Sequence, residues 1–322
     1  MQLSNRSLAV LLVCANLTWG GVFIASKIAL EHFAIGQILF GRVVFAALCY
    51  VLLARKVFPV KNYRKGDWKW LLAMMLCEPC MLFSFETLGL SYTTASQAGM
   101  IVACCPLLTA VGALIFYREN IGRRGLIGIA IAISGVALVS LNGAASESAP
   151  NPFLGNVFML LSATAAASYA LIFKRLAGRY SFLFLSAIQC FGGVIFFLPG
   201  SGILSLLPSD VIPAFVPASA LNPLPDAPAS AWAAIVYMGL LVSFFSYFII
   251  NYAITRLKAA HVLLFSNLIP VFTLLLAFLI LGERLLPLQY GGAALVMAGV
   301  LFAGVPEDSS TAEAEAAAGP GL

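Results

Sequence analysis

Glu78 is the residue of this sequence with the clearest capacity for chemistry. It lies about ten residues into an apolar run, residues 68–90, and Pro79 follows it. At about 1.5 Å per residue the carboxyl group falls near the middle of a span, where the proline removes a backbone donor and favours a kink. A carboxyl group at this depth must hold a proton or face a cation, because an unpaired carboxylate is too costly there. Two roles remain open: proton coupling or anchoring of a cationic group, and a neutral acid that is hydrogen-bonded to a neighbouring helix.

Glu86 and Arg42 form a second set of charged candidates. Glu86 follows Glu78 by eight residues, about 12 Å along a helix. Arg42 lies at a comparable depth in another apolar run, residues 34–54, which the chain enters from the same side. Because a charge inside the membrane needs a partner, we expect a Glu86–Arg42 ion pair. The alternative is an outer gate, or the binding of a ligand carboxylate by Arg42.

Aromatic and amide side chains within the apolar runs are the remaining candidates for binding. Trp19 and Tyr169 are favoured, because each lies in the middle of its run. Such rings pack on apolar groups or hold quaternary ammonium by cation–π attraction, and amides supply hydrogen bonds. The predicted set for substrate binding or coupling is Glu78, Trp19, Tyr169, Asn16, Phe83, Tyr252 and Asn267. Packing between helices is the alternative role of each ring and amide.

The seven cysteines all lie inside apolar runs, so no disulfide framework is predicted. Cys77 and Cys80 bracket Glu78, and Cys104 and Cys105 lie at a similar depth, which would suit a path for a soft metal ion. No exposed segment rich in His or Cys is present for loading a metal, and cysteine also packs as a small hydrophobe. We predict neither a metal site nor a cofactor.

These residues belong to a chain that is too apolar for a soluble protein. Of its 322 residues, 61% are hydrophobic and 10% are charged, with a net charge of +5, and the mean hydropathy is +0.99. A soluble domain is about half apolar and a quarter charged, so a soluble enzyme, a nucleic-acid binder and a disordered chain are excluded. We predict an all-α integral membrane protein with ten transmembrane helices. The predicted spans are residues 8–30, 34–54, 68–90, 94–117, 125–141, 153–174, 182–200, 231–253, 259–281 and 287–305.

The basic residues indicate the orientation of the chain. With the N-terminus inside, all 18 basic residues except Lys27, Arg42 and Arg284 fall in cytoplasmic segments, where Lys and Arg are enriched. Both termini are therefore predicted to be cytoplasmic, in a bacterial inner (cytoplasmic) membrane. Residues 306–322 form an acidic segment rich in Ala and Gly, which we predict to be a disordered cytoplasmic tail.

An offset of 164 residues relates the two sets of five spans. It aligns, in order, Ala95, Pro106, Thr109, Ala113, Glu119, Gly128, Ala130, Gly135 and Val136 with Ala259, Pro270, Thr273, Ala277, Glu283, Gly292, Ala294, Gly299 and Val300. Because five is odd, the halves cross the membrane in opposite directions, and we predict an inverted 5+5 repeat of residues 1–142 and 143–305. Helix kinks are predicted at Pro79, Pro106 and Pro270. Such a repeat lets two halves exchange conformations around a central site.

Several short motifs mark the spans between residues 8 and 305. They are Trp19-Gly20 followed by Phe23, Leu90-Ser91-Tyr92-Thr93-Thr94-Ala95-Ser96, Pro106, and Leu281-Gly282-Glu283-Arg284. Through these motifs, the ten spans and the repeat, the chain resembles the EamA-type branch of the drug/metabolite transporter (DMT) superfamily. One departure is Tyr117-Arg118-Glu119, where the family usually has Leu-Gly-Glu, and we interpret it as a local change in how the helix ends.

The resemblance implies a secondary transporter of metabolites, often an exporter of amino acids or related compounds, and not an enzyme. We therefore expect alternating access of a small organic metabolite across the cytoplasmic membrane, with Glu78 open to proton coupling. The alternative is a transporter of organic cations, quaternary amines or drugs that uses Glu78 and aromatic residues.

A membrane-embedded enzyme and a channel are the rivals from other classes. The loops contain no cluster of Asp, His or Asn for the first, and no pore-loop signature or acidic ring for the second. The expected partners are a small-molecule substrate and the lipid bilayer, with no nucleic acid. Substrate identity and oligomeric state stay open.

Overall fold

Ten helices make up the described part of the computed structural model, which comprises residues 5–54, 63–118, 122–141, 145–203, 224–254 and 265–304. In chain order they are α1 (Asn5–Leu30), α2 (Ile35–Leu52), α3 (Asp67–Leu90), α4 (Ala95–Tyr117), α5 (Arg123–Leu141), α6 (Pro152–Ala177), α7 (Phe182–Gly200), α8 (Ala229–Ala253), α9 (Leu268–Leu281) and α10 (Pro287–Gly304). By length and composition eight of them can cross a membrane, while α9 and α10 are shorter apolar helices. The chain is thus an all-helical membrane protein. Of the predicted span 259–281, the part before residue 265 lies outside the described residues.

Polar side chains begin several of these helices. Thr94 accepts a hydrogen bond from the backbone N–H of Gln97 at the start of α4, at 3.2 Å. Asn151 and Ser181 cap α6 and α7 in the same way. Each cap satisfies one of the first N–H groups of a helix, which have no partner within the helix. Short polar connections therefore fix where the apolar helices begin.

Four helices are irregular, and they occupy equivalent places in the two sets of five. In α3 the backbone is extended at Glu78 (φ −146°, ψ 122°), and Pro79 has no N–H for the helical ladder. In α4 a turn at Cys104 separates two helical segments, and Pro106 follows it. The helices α8 and α9 each contain a π-helical segment, Met238–Ser246 and Ala277–Leu281. The third and fourth helices of each set therefore carry the irregular backbone.

The last helices of the two sets, α5 and α10, pack directly on each other through glycines. A Cβ atom on Gly135 would lie 2.6 Å from the carbonyl oxygen of Gly292, and one on Gly299 would lie 2.6 Å from that of Gly128. The offset of 164 converts the first contact into the second, since 135 corresponds to 299 and 128 to 292. The two helices run antiparallel, because Gly128 contacts Gly299 whereas the later residue Gly135 contacts the earlier residue Gly292.

Contacts between the two sets close both ends of the bundle. At the end where α3 begins, here called the Asp67 face, Asp67 accepts hydrogen bonds from Arg179 at 2.9 Å and from Tyr180 at 2.8 Å, both in the α6–α7 connection. Burial, and then the bond to Asp67, raise the pKa of Tyr180, so the phenol remains a donor at neutral pH. At the opposite end, here called the Glu283 face, Glu283 accepts from the backbone N–H groups of Ala95 and Ser96 at 2.9 and 2.8 Å.

Candidate functional site

Arg42 lies at the centre of a buried polar cluster. Its side chain is 0% exposed, on α2. Its Nη1 donates to Glu86 Oε1 on α3 at 3.1 Å, and its Nε donates to Ser243 Oγ on α8 at 2.8 Å. The guanidinium carbon lies 3.7 Å from the centre of the Phe83 ring, a cation–π distance. Partners from both halves therefore hold the arginine in place.

Glu78 lies beside this cluster at the break in α3. The residue is 2% exposed, and its extended backbone turns the side chain out of the regular helical register. Gln189 on α7 donates a hydrogen bond to the carboxyl group, which also interacts electrostatically with Arg42 and Glu86. Its Oε1 atom has no hydrogen-bond partner among the described residues. An acceptor of this kind is costly to bury unless something else binds it.

A cavity between the halves lies next to the residues that contact Arg42 and Glu78. It is narrow in this conformation, with room for about one water molecule. The lining residues are Val43 from α2, Pro79 and Phe83 from α3, Ser186, Gln189 and Cys190 from α7, and Ser243 and Tyr247 from α8. Four helices thus meet here, two from each set of five, and apolar side chains alternate with hydroxyl and amide groups. This composition is typical of a small-molecule site.

Further buried polar atoms without a partner belong to residues that contact the cavity lining. Within the described ranges, Nη2 of Arg42 and Nε1 of Trp19 make no hydrogen bond. The Trp19 ring on α1 is half-buried and packs edge-on against Tyr247, with ring centres 5.3 Å apart. Because Tyr247 lines the cavity, Trp19 extends the site towards α1. In the part of the chain that the structure describes, two donors and one acceptor therefore remain unsatisfied on residues that pack behind the cavity lining.

The structure brings together five of the residues that the sequence singles out. Besides Arg42, Glu86, Glu78 and Phe83, Tyr169 of α6 joins the cluster, since its hydroxyl group donates to Gln189 Oε1 at 3.2 Å. Trp19 is connected to them through Tyr247.

Three other candidates lie apart from the cavity lining. Asn16 donates to Leu12 O in its own helix at 2.7 Å. Tyr252 packs in an apolar cluster with Leu8 and other residues at the start of α1. Asn267 lies half-buried at the turn before α9, followed by Pro270. The site roles of all these residues stay predictions.

The predicted set of site residues does not include Ser186, Gln189, Ser243 and Tyr247, although all four line the cavity. Each is a single polar or aromatic residue in an apolar run, like many others that serve helix packing. The spacing of Ser243 from Arg42, 201 residues along the chain, gives no local signal that the two meet. In the described part of the chain, no group of three His, Cys, Asp or Glu residues is close enough to hold a metal ion.

Comparison with known families places these features among transporters. The profile of the EamA-like transporter family matches the chain twice, over residues 6–141 and 153–305. The "Probable terminal-alkyne amino-acid exporter" of Streptantibioticus cattleyicolor is 28% identical over 305 residues, which cover 94% of this chain and 94% of that protein. An "Uncharacterized transporter" of Archaeoglobus fulgidus is 27% identical over 283 residues, 87% of this chain and 91% of that protein.

A solved crystal structure has the same fold. It superposes with a TM-score of 0.57 at 18% sequence identity, covering 93% of this chain and 97% of that one. At this identity the similarity concerns the arrangement of the helices and not the ligand.

Proposed function

Because the chain belongs to the EamA-like transporter family, we propose that it is a secondary active transporter that exports an amino acid or a related small organic metabolite by alternating access. It is a membrane transporter and not an enzyme. The observation that carries the proposal is the cavity between the halves, which is lined by apolar residues of α2 and α3 and by polar residues of α7 and α8. The buried Arg42–Glu86 pair lies directly behind this lining. Transporters built from repeats bind their substrates in this position.

The two halves, residues 1–142 and 143–305, act in this proposal as an inverted repeat in which all ten helices cross the membrane. The antiparallel packing of α5 and α10 supports it, as does the recurrence of irregular helices at equivalent places. The contacts at the Asp67 face and at the Glu283 face would open in turn. Following the loop charges, the Asp67 face and both termini are cytoplasmic, in an inner membrane.

The amino-acid class is supported by the relative named as an amino-acid exporter. The cavity is compatible with this class, because Val43, Pro79 and Phe83 supply apolar contacts for a side chain while Ser186 and Gln189 supply hydrogen bonds. Glu78, Phe83, Tyr169 and Trp19 are the proposed substrate-binding or coupling residues.

Glu78 is the proposed coupling residue, since its charge lacks a partner. Arg42 and Glu86 balance each other, so an ionised Glu78 adds one uncompensated negative charge to the buried cluster. A proton on Glu78 or a positive group on the substrate removes that cost. Exchange of a proton at this carboxyl group during the cycle would link substrate flux to the pH gradient.

Flux into proteoliposomes tests this function. We expect an imposed pH gradient to stimulate uptake of a labelled amino-acid mixture by the wild-type protein about threefold or more, and Glu78→Gln to abolish the stimulation. Glu31→Gln, at an exposed carboxyl group in the α1–α2 connection, is the matched control and should behave as the wild type. An uptake rate that does not change with the pH gradient, and that is the same in Glu78→Gln, would rule out coupling through this residue. Absence of any amino-acid flux would overturn the proposed substrate class.

Transport of organic cations is the second candidate, favoured by the unpartnered oxygen of Glu78. The Phe83 ring supports it less, because the Arg42 guanidinium already covers that ring. This candidate would be established if the proteoliposomes transport a labelled quaternary amine but no amino acid, and if the amine flux is lost in Glu78→Gln.

A further inference from the structure

Two buried groups of opposite charge each present an unused atom beside the same cavity. Arg42 donates from Nε to Ser243 and from Nη1 to Glu86, while Nη2 has no partner in the described residues. Glu78 receives a hydrogen bond from Gln189, while Oε1 has none within the same ranges. A guanidinium donor and a carboxyl acceptor that remain unsatisfied are unfavourable in isolation. These two atoms without hydrogen-bond partners therefore point to a ligand.

Neither group lines the cavity itself, but each lies directly behind residues that do. Val43, next to Arg42, lines the cavity together with Phe83 and Ser243, which both contact the guanidinium group. Pro79, next to Glu78, lines it together with Gln189, the hydrogen-bond partner of the carboxyl group. The positive and the negative group thus lie behind the lining of one cavity, each in contact with different lining residues.

The charge balance of the cluster selects the kind of ligand. With a proton on Glu78, Arg42 and Glu86 cancel, and the cluster has no net charge. An anion or a cation would then bring an uncompensated charge into a buried site, which is costly. A ligand that is neutral overall, with a separated anionic and cationic group, preserves the balance. The carbonyl oxygen of a protonated carboxyl group is still an acceptor, so Glu78 can serve in that state.

We propose that the cavity, once its helices move apart during the transport cycle, binds the zwitterionic head group of an α-amino acid, with the substrate carboxylate on Nη2 of Arg42 and the substrate ammonium on Oε1 of Glu78. The inference rests on the proposed function and makes it specific, because it assigns each charged end of the substrate to one residue. Guanidinium is suited to this task, since its fixed donors match a carboxylate. The apolar part of the lining receives the amino-acid side chain, as described for Val43, Pro79 and Phe83.

Binding of matched ligands to the detergent-purified full chain tests the assignment. The 20 standard L-amino acids are screened first by thermal shift, which reports ligands of the folded state. The best one is then compared with its carboxamide, which lacks the carboxylate, and with its N-acetyl derivative, which lacks the ammonium. We expect the wild type to bind the amino acid about tenfold or more tightly than either derivative.

Two double variants identify the arginine that binds the substrate carboxylate. Arg42→Met with Glu86→Leu removes the ion pair without leaving a lone charge, and should bring the affinities for the amino acid and its carboxamide within about twofold of each other. Arg179→Met with Asp67→Leu removes an Arg–carboxylate pair at the Asp67 face. It is the matched control and should keep the tenfold preference.

The outcomes separate the inference from the proposed function. If none of the 20 amino acids binds, the proposed substrate class fails. If amino acids bind but the carboxamide binds equally well to the wild type, the class stands and the zwitterion assignment is overturned. If the first double variant does not fold, Ser243→Ala takes its place. It frees Nε of Arg42 and should weaken the preference about threefold, and an unchanged preference would contradict the role of Arg42.

Discussion

The two five-helix halves are alike in backbone and unlike in chemistry. Both have irregular third and fourth helices, and their last helices pack through equivalent glycines. The charged side chains that are buried at the centre of the described residues, Arg42, Glu78 and Glu86, all come from the first half. The second half supplies neutral partners, among them Gln189 and Ser243.

This difference shows that the symmetry of the helices does not extend to the site. In α3 the break at Pro79 carries a carboxyl group, whereas the π-helical segment of α8 presents the hydroxyl group of Ser243 to Arg42. A second buried carboxylate opposite Glu78 would repel it. Related backbones in both halves are sufficient for the proposed motion, while charge in one half is sufficient for the proposed binding.

The largest expected effect comes from breaking the charged pair of the first half. Glu86→Leu alone should lower the free energy of unfolding by about 3–5 kcal/mol, because it leaves the arginine buried without its counter-ion. Adding Arg42→Met should restore most of the loss, since the pair is then replaced by apolar side chains. Thermal unfolding in detergent measures both changes.

The ion pair between the halves provides the control for that measurement. Arg179 is 34% exposed in its pair with Asp67, so Arg179→Met should cost about 1 kcal/mol or less. Equal losses for the two single variants would contradict the view that buried charge is concentrated at the centre.

A medium effect is expected where the halves pack by shape alone. A Cβ on Gly292 would lie 2.8 Å from Val139 Cγ2 and 2.9 Å from the carbonyl oxygen of Gly135, whereas on Gly291 its nearest neighbour would lie 3.9 Å away. Gly292→Ala should therefore cost about 1–3 kcal/mol through overpacking, and Gly291→Ala should cost nothing or stabilise α10 slightly. Similar melting temperatures for the two variants would argue against close α5–α10 packing.

The smallest effect concerns the ends of α4 and α9, where Arg118 and Gly282 occupy equivalent positions. Arg118 and Gly282 both adopt the left-handed conformation, with φ of 56° and 66°. That conformation costs a side-chain-bearing residue about 1 kcal/mol. Gly282→Ala should therefore lower stability by about 1 kcal/mol, and Arg118→Gly should raise it by about 0.5 kcal/mol once the entropy of glycine is counted. Thermal unfolding of both variants checks the sign, and shifts in the same direction would exclude this explanation.

Much of the fold follows from local properties of the sequence. Long apolar runs must form helices in lipid, because no water is present there to satisfy open backbone groups. The irregular backbone at Glu78 also follows locally, since Pro79 removes a donor from the helix. The departure at Arg118 is interpreted from sequence as a local change in how the helix ends, and the structure places that residue at the end of α4.

The membership of the site could be predicted only in part. Glu78 and Arg42 are recognisable because a charge in an apolar span is rare and requires a reason. Their partners are not, since Gln189 and Ser243 look like any single polar residue in a membrane helix. Asn16, Tyr252 and Asn267 look the same, yet the structure places them away from the cavity lining.

The sequence by itself determined the class of protein, the number of helices and the charged residues that need partners. Only the tertiary structure decided which side chains meet, because a helix that is apolar on all sides does not show in its sequence which face is turned inward. The cavity is made by four helices from two halves, and its lining residues lie up to 204 positions apart, from Val43 to Tyr247. Which of these distant residues meet depends on how the helices pack, and a local sequence pattern does not predict that packing.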